Sequence, residues 1–379
     1  MQRLRIVLLM LLPVLLAASP AAAQPYPFQR RTFRPIAPPP PPQTLSIDGP
    51  VALGLMTGEL NGTFVQIGSD LSAVAASDAL RVVPLLGKGS LQNLGDLLNL
   101  RGVDLALAAA DAAVSPEAAR SHPNLRARVD YIVKLYDQEI HVLAGPDIHV
   151  LQDLAGKTVN ADVAGSGTFV TATAMFDALH IPAKLANDTP NAGLERLKRG
   201  DVAATVYVIG KPGRLFATLP AGAGLHLVPV PVSDAMLQTY VPSTLTHADY
   251  PALIAEGDTV ETMAVPVLLT AYNWPVGTVR YRNLAAFTDL FFSHFQDLLQ
   301  PPFHPKWHDV NLRATVPGWT RAPYAQAWLD RAAALPDAPA TTAEERDFAA
   351  WAAGIGLTNI TPAQHAQLLG LWRLRQAQK

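Results

Sequence analysis

The 379 residues include no cysteine. That absence excludes disulfides, thiolate metal sites, cysteine nucleophiles and a lipid attached at a mature N-terminal cysteine. A net charge excess is lacking too, because 29 Lys+Arg stand against 31 Asp+Glu. Such a balance leaves no electrostatic footprint for nucleic acid, and none is expected as a partner. After the first residues, no apolar run is long enough to cross a bilayer. The best later stretch, Met263 to Ala271, is interrupted by Pro266 and flanked by polar residues. No motif calls for a cofactor.

What is present begins with an export signal. Arg3 and Arg5 form a basic start, Ile6 to Leu16 an apolar core, and Ala21-Ala22-Ala23 before Gln24 a small-residue cleavage site. Residues 1–23 therefore read as a signal peptide, with an uncleaved anchor as the alternative. The mature chain is expected to be a soluble periplasmic protein, not inserted in the membrane. Residues 24–45 read as a linker with five consecutive prolines, Pro38 to Pro42. Such a tract is stiff and extended and serves as a spacer.

The length suffices for two domains, and 49% hydrophobic residues suit globular packing. Val51 to Met56, Leu80 to Leu86 and Val103 to Leu107 read as strands, alternating with helices at Gly62 to Ala76 and Ser90 to Leu100. Near-continuous apolar strands alternating with helices imply a mainly parallel sheet covered on both faces. Tyr131 to Tyr136 and Ile140 to Leu143 read as two strands at a passage between domains. A second alternating run follows, with strands at Val202 to Val208 and Leu225 to Val232 and a helix at Asn191 to Arg199. A long strand, Thr259 to Thr270, leads back to helices at Arg282 to Leu299 and Tyr324 to Ala334. The expected fold is α/β and two-lobed, with a ligand cleft between the lobes at the strand ends. Residues 46–140 form the first lobe, 141–258 the second and 259–338 the return to the first. Residues 339–379 form a helical tail, with helices at Ala343 to Ala353 and Pro362 to Arg375.

Four loops at strand ends carry the candidate chemistry. Thr57-Gly58 with Gly62-Thr63-Phe64 precedes the first helix, and Gly87-Lys88-Gly89-Ser90 the second. Gly165-Ser166-Gly167-Thr168 precedes the helix that contains Met175 and Phe176, and Gly210-Lys211-Pro212-Gly213-Arg214 follows the strand that holds Tyr207. Glycines beside hydroxyl residues at a helix N-terminus turn backbone N–H groups toward one point, where the helix dipole also favours negative charge. Each such loop is also consistent with a plain helix cap, with Ser166 or Thr168 as the capping residue. Their convergence points to a carboxylate site, with Lys88, Lys211 and Arg214 as cations for a second carboxylate.

The ordered motifs resemble the TAXI-type solute-binding proteins of TRAP transporters. They run Thr57-Gly58…Gly62-Thr63-Phe64, Gly89-Ser90…Asn93 and Asp104-Leu105…Asp111, then Leu135-Tyr136…Glu139…His141 and Ala164-Gly165-Ser166-Gly167-Thr168. The similarity spans about Val51 to Leu329. It implies a type II periplasmic binding fold that captures a small organic anion, an amino acid or a dicarboxylate such as glutamate or 2-oxoglutarate. It also implies delivery to a TRAP-type membrane permease. The ligand-contacting residues it implies, together with the loop reading, are Thr57, Gly62, Thr63, Phe64, Ser90, Asp111, Gly165, Ser166, Gly167, Thr168, Tyr207, Gly210 and Lys211. Phe64 stands where the family often has tyrosine, and Ala109-Ala110 where polar side chains are common, so fewer side-chain hydrogen bonds reach the ligand there.

No enzyme is expected. Ala164-Gly165-Ser166-Gly167-Thr168 does not fit the Gly-x-Ser-x-Gly elbow of a serine hydrolase, and His180 lies at the far end of the helix from Ser166. His304 and His308 with Asp309 have metal-ligand spacing, but Pro305 and Trp307 intervene, and a packed turn is the better reading. A periplasmic sensor that presents its closed form to a receptor kinase is the functional alternative. Glu139 and His141 are expected at the hinge between lobes.

Overall fold

A computed structural model describes residues 51–334 apart from 61 and 223, residues 342–354, and positions 365, 368–370 and 372. The expected signal peptide, the proline-rich linker and most of the second tail helix lie outside the described residues. Among those described, no helix is long and apolar enough to cross a membrane.

The chain builds the same β-α-β-α-β unit twice. The first runs β1 (Val51–Met56), α1 (Thr63–Val74), β2 (Leu80–Leu85), α2 (Ser90–Asn99) and β3 (Leu105–Ala109). Short helices α3 (Pro116–Ser121) and α4 (Leu125–Arg128) then lead into β4 (Val129–Ala144). The second unit runs β5 (Thr158–Asn160), α5 (Gly167–Ala178), β6 (Lys184–Ala186), α6 (Pro190–Lys198) and β7 (Ala204–Ile209). After α7 (Arg214–Ala217), β8 (His226–Leu227), α8 (Asp234–Leu237) and β9 (Val241–Thr246), the chain returns along β10 (Thr259–Tyr272). Helices α9 (Val279–Ser293), α10 (Pro323–Ala334) and α11 (Thr342–Gly354) complete the described elements.

One ten-stranded sheet results, with main order β2-β1-β3-β10-β4-β7-β5-β6. Strand β1 pairs in parallel with β2 and β3, and β5 in parallel with β6 and β7. Each parallel set is closed by a long antiparallel strand, β10 against β3 and β4 against β7. The two long strands pair with each other in the middle. Their apolar residues divide between two cores. Tyr136 of β4 packs with Leu55, Ile67 and Leu135, whereas Ile140 and Val142 pack with Val159, Met175 and Val206. Strand β10 makes the opposite passage, with Val265 in the second core and Val267 in the first. The protein is thus a two-lobed α/β fold whose lobes share two strands.

Three expectations are corrected. The polar run Asp137-Gln138-Glu139 does not split β4 in two. It stays in the ladder opposite Pro266, Val265 and Ala264, and the register shifts next to Pro266, which has no N–H to donate. The expected strand Leu225 to Val232 shrinks to His226–Leu227, because Pro229 and Pro231 cannot supply ladder donors. The helix expected over 282–299 ends at Ser293, and a 3₁₀ turn, Phe295–Leu299, follows it.

The described tail packs on the first lobe. Phe348, Ala352, Leu368 and Trp372 join the core cluster that contains Phe292, Phe295 and Trp328, and the Gln296 side-chain amide donates to the Leu368 carbonyl at 3.1 Å. Phe348 is 1% exposed. Phe348→Ala is therefore expected to destabilise the protein by about 3–5 kcal/mol in urea unfolding, the range for a truncated buried aromatic. An unchanged midpoint would show that the tail is not part of that core.

Candidate functional site

Three helix N-termini meet at one place between the lobes. The starts of α1 (Gly62, Thr63, Phe64), α2 (Gly89, Ser90) and α5 (Gly167, Thr168) line a cavity of about 50 Å³. Helices α1 and α2 have glycine N-caps without a side-chain hydrogen bond, and none of the three has an acidic residue in its first turn. The first-turn N–H groups of α1 and α2, and the positive dipole ends of all three helices, are thus left for something other than this chain's own side-chain caps. The wall is completed by Gly58, Glu59, Lys88, Gln138, Asp162, Tyr207, Val208 and Ile209.

Glycine is required where the lobes touch. A Cβ on Gly167 would stand 2.8 Å from Ser90 Oγ, one on Gly89 would stand 3.4 Å from the Gly167 nitrogen, and Gly89 has φ +110°. A Cβ on Gly210 would meet Tyr136, Lys306 and Thr63 at 3.1–3.4 Å. Gly89 thus lets backbone approach backbone across the cleft, and Gly167 and Gly210 leave room for the side chains packed against them.

Of the expected residues, Gly62, Thr63, Phe64, Ser90, Gly167, Thr168 and Tyr207 are brought together. Thr57, Asp111, Gly165, Ser166, Gly210 and Lys211 do not line the cavity, and each is engaged in the scaffold. The Thr57 hydroxyl donates to the Leu85 carbonyl at 2.8 Å. Ser166 is the N-cap of α5, its Oγ accepting from Phe169 N at 3.1 Å, and Gly165 makes the left-handed turn before it at φ +82°. Lys211 Nζ donates to the Thr244 carbonyl at 2.5 Å and lies 3.5 Å from Asp249. Asp111 belongs to a clasp between lobes, where its Oδ2 accepts from Thr171 Oγ1 at 2.6 Å and Tyr240 Oη at 3.0 Å. Burial raises its carboxyl above the ordinary range, against those two hydrogen bonds.

The hydroxyls that do reach the cavity have two tasks. Ser90 Oγ accepts from Ala109 N at 2.9 Å and Thr168 Oγ1 from Val208 N at 3.1 Å. Each acceptance fixes a helix start against a strand end, and each hydroxyl keeps its proton to donate. Thr63 and Gln138 are 3% and 6% exposed and make no side-chain hydrogen bond among the described residues.

Glu59, Gln138 and Asp162 were not anticipated as site residues. Glu59 and Asp162 lie on corresponding loops, the one between β1 and α1 and the one between β5 and α5, so each lobe contributes one carboxyl. Burial, and then the Glu59 charge, push Asp162 up to about 7, against hydrogen bonds from Val163 N and Ser166. Burial also raises Glu59, with the nearby Tyr207 hydroxyl acting in the opposite direction. Among the described residues of the lining Lys88 is the one cation, and it is exposed. Asp162 adopts φ +64°, a left-handed backbone that aspartate tolerates better than most residues. That conformation leaves no trace in composition or periodicity, which explains why the residue was missed.

Behind the cavity is the crossing of β4 and β10 between the two cores, where the hinge is expected. Glu139, in the middle of β4, pairs with Lys306 Nζ at 2.8 Å and accepts from Lys211 N at 2.8 Å. His141 is fully buried. Its Nδ1 faces the carbonyls of Glu139 and Tyr207, and its Nε2 lies 2.6 Å from the Tyr250 hydroxyl. Burial lowers its pKa to about 4, so the ring is neutral. The histidine–aspartate turn at 304–309 is packed from within, with His304 Nδ1 accepting from Lys306 N and Asp309 paired with Lys306 Nζ at 3.2 Å.

A sequence model of the NMT1-like family matches residues 55–275, more than half of the chain. Solved structures overlap it partially. An ancestral arginine-binding protein bound to arginine shares 16% identity, covering 66% of this chain and 93% of that one, at TM-score 0.40. The GluR0 ligand-binding core of Nostoc punctiforme in complex with L-glutamate shares 15%, covering 65% and 94%, at TM-score 0.38. The periplasmic domain of BvgS from Bordetella pertussis shares 13%, covering 64% and 40%, at TM-score 0.38. The strand order, and not these overlaps, defines the fold.

Two outcomes follow for the cleft. Gly167→Val should force α5 away from Ser90, giving a larger radius of gyration in solution scattering with unchanged far-UV circular dichroism. An unchanged radius would contradict the close approach. Asp162 binds its proton more tightly folded than unfolded, so its contribution is fully present below the ordinary value of 3.8 and lost as the pH rises through about 7. Asp162→Asn should then be more stable than the parent at pH 8, by on the order of 2–4 kcal/mol, and similar to it near pH 4. Chemical denaturation at the two pH values checks this.

Proposed function

The chain belongs to the NMT1-like family, and on that premise we propose that it is an extracytoplasmic solute-binding protein. In this reading the protein takes a small organic anion between its lobes and delivers it to a membrane permease. The convergence of three uncharged helix N-termini from both lobes on one cavity carries the proposal. A carboxylate there would accept from N–H groups of α1, α2 and α5 at once. Hydrogen bonds to a charged group contribute about 1.5–3 kcal/mol each, and bonds drawn from both lobes favour the closed arrangement.

The finer assignment rests on the sequence. The ordered motifs from Thr57-Gly58 to Gly167-Thr168 support a TAXI-type protein serving a TRAP permease, and the basic and apolar N-terminus supports export to the periplasm. Lobe boundaries near residues 140 and 258 complete this assignment. The role is non-catalytic. Ser166, the residue a hydrolase would need, uses its hydroxyl to cap α5.

Thermal-shift screening of the purified protein against amino acids, 2-oxo acids and dicarboxylates tests the reading. A true ligand at a hundred times its Kd should add about 2.7 kcal/mol of stability. Stabilisation by neutral compounds alone, with every carboxylate inactive, would overturn the anion assignment.

A further inference from the structure

The acids of the cleft pose a problem that the helix N-termini do not solve. A site for an anion alone would be expected to exclude carboxylates, yet its lining includes Glu59 and Asp162, and among the described residues its one cation is the exposed Lys88. Neither acid has an arginine or lysine partner among the described residues. Tyr207 lies beside them in the same lining. They stand on corresponding loops of opposite lobes, so closing the cleft brings like charges together and desolvates both. Closure in that form costs energy unless a proton or a cation comes between them.

We propose that Glu59 and Asp162, with Tyr207, form a subsite for a protonated amine, so that the ligand must bear an ammonium group beside its carboxylate. Two further observations point to an occupant. Gln138 and Thr63 are both more than nine-tenths buried, line the same cavity, and make no side-chain hydrogen bond within the described protein. A small zwitterion accounts for the whole lining. Its carboxylate faces the starts of α1, α2 and α5, its ammonium faces the two acids, and the Gln138 amide and Thr63 hydroxyl bond its edge. The acids thereby become the specificity determinants. A 2-oxo acid of the same shape presents a carbonyl acceptor where the site offers carboxylates, and a second carboxylate would be repelled. Lys211, one of the three cations expected to balance one, is bound instead to Thr244 and Asp249.

This inference rests on the solute-binding reading, and matched ligands separate the two. Isothermal titration calorimetry at pH 8 on the full-length protein would compare L-alanine with pyruvate, L-glutamate with 2-oxoglutarate, and L-arginine with its decarboxylated form, agmatine. The expected result is that the preferred amino acid binds at least tenfold more tightly than its 2-oxo acid. Glu59→Gln and Asp162→Asn should each reduce that preference by tenfold or more, with circular dichroism verifying their fold. A 2-oxo acid that binds as well as its amino acid, with affinity unchanged in both variants, would overturn the ammonium subsite and leave the anion reading standing. Agmatine binding more tightly than arginine would do the reverse, supporting the subsite and removing the carboxylate from the helix starts. Absence of binding by all six compounds would overturn both.

Discussion

Everything in this protein hangs on two antiparallel strands. β4 and β10 pair along the middle of the sheet, and each passes from the core of one lobe into the core of the other. A strand pair resists stretching and shear through its hydrogen bonds, yet twists and bends at modest cost, particularly where a proline has removed a donor. Pro266 supplies that interruption opposite Asp137, beside Glu139. The lobes are therefore tethered at fixed separation while their relative orientation can change. Ligand capture by lobe closure needs that combination.

The contacts that span the cleft fall into two kinds. Glu139 with Lys306 and the Lys211 amide lies at the hinge itself, dry and fully hydrogen-bonded. Removing Lys306 would leave the buried Glu139 carboxylate without its cation, a loss of about 3–5 kcal/mol. The clasp of Asp111 with Thr171 and Tyr240, and the approach of Gly89 and Ser90 to Gly167, lie away from the hinge and require the lobes to be together. In the proposed function a ligand would add its own bonds to that second group. The clasp and the ligand therefore act on the same equilibrium, and neither need be strong alone.

Much of this was legible in the sequence because it depends on local chemistry. Apolar strand runs separated by glycine-capped helices disclose the repeated β-α-β-α-β units, and three glycine loops disclose the three helix starts. The continuity of β4 was not legible, because Asp137-Gln138-Glu139 looks like a turn until Pro266 and Ala264 are set opposite it. Nor could one chain position show that Asp111 and Ser166 spend their side chains on the scaffold. Glu59 and Asp162 escaped for a related reason. Acids in surface loops are ordinary, and their meaning arises only when two lobes bring them to one cavity.

The absence of native cysteine makes the central claim directly measurable. Leu86→Cys beside the outer strand of the first lobe and Lys184→Cys on the outer strand of the second can be spin-labelled without competition, since the chain offers no other thiol. Both positions are exposed. Double electron–electron resonance would then report the distance between lobes with and without an amino acid identified by calorimetry. A narrower distribution at shorter mean distance is expected when the ligand is saturating. A distribution unchanged by saturating ligand would contradict a two-lobed clamp that closes on its solute.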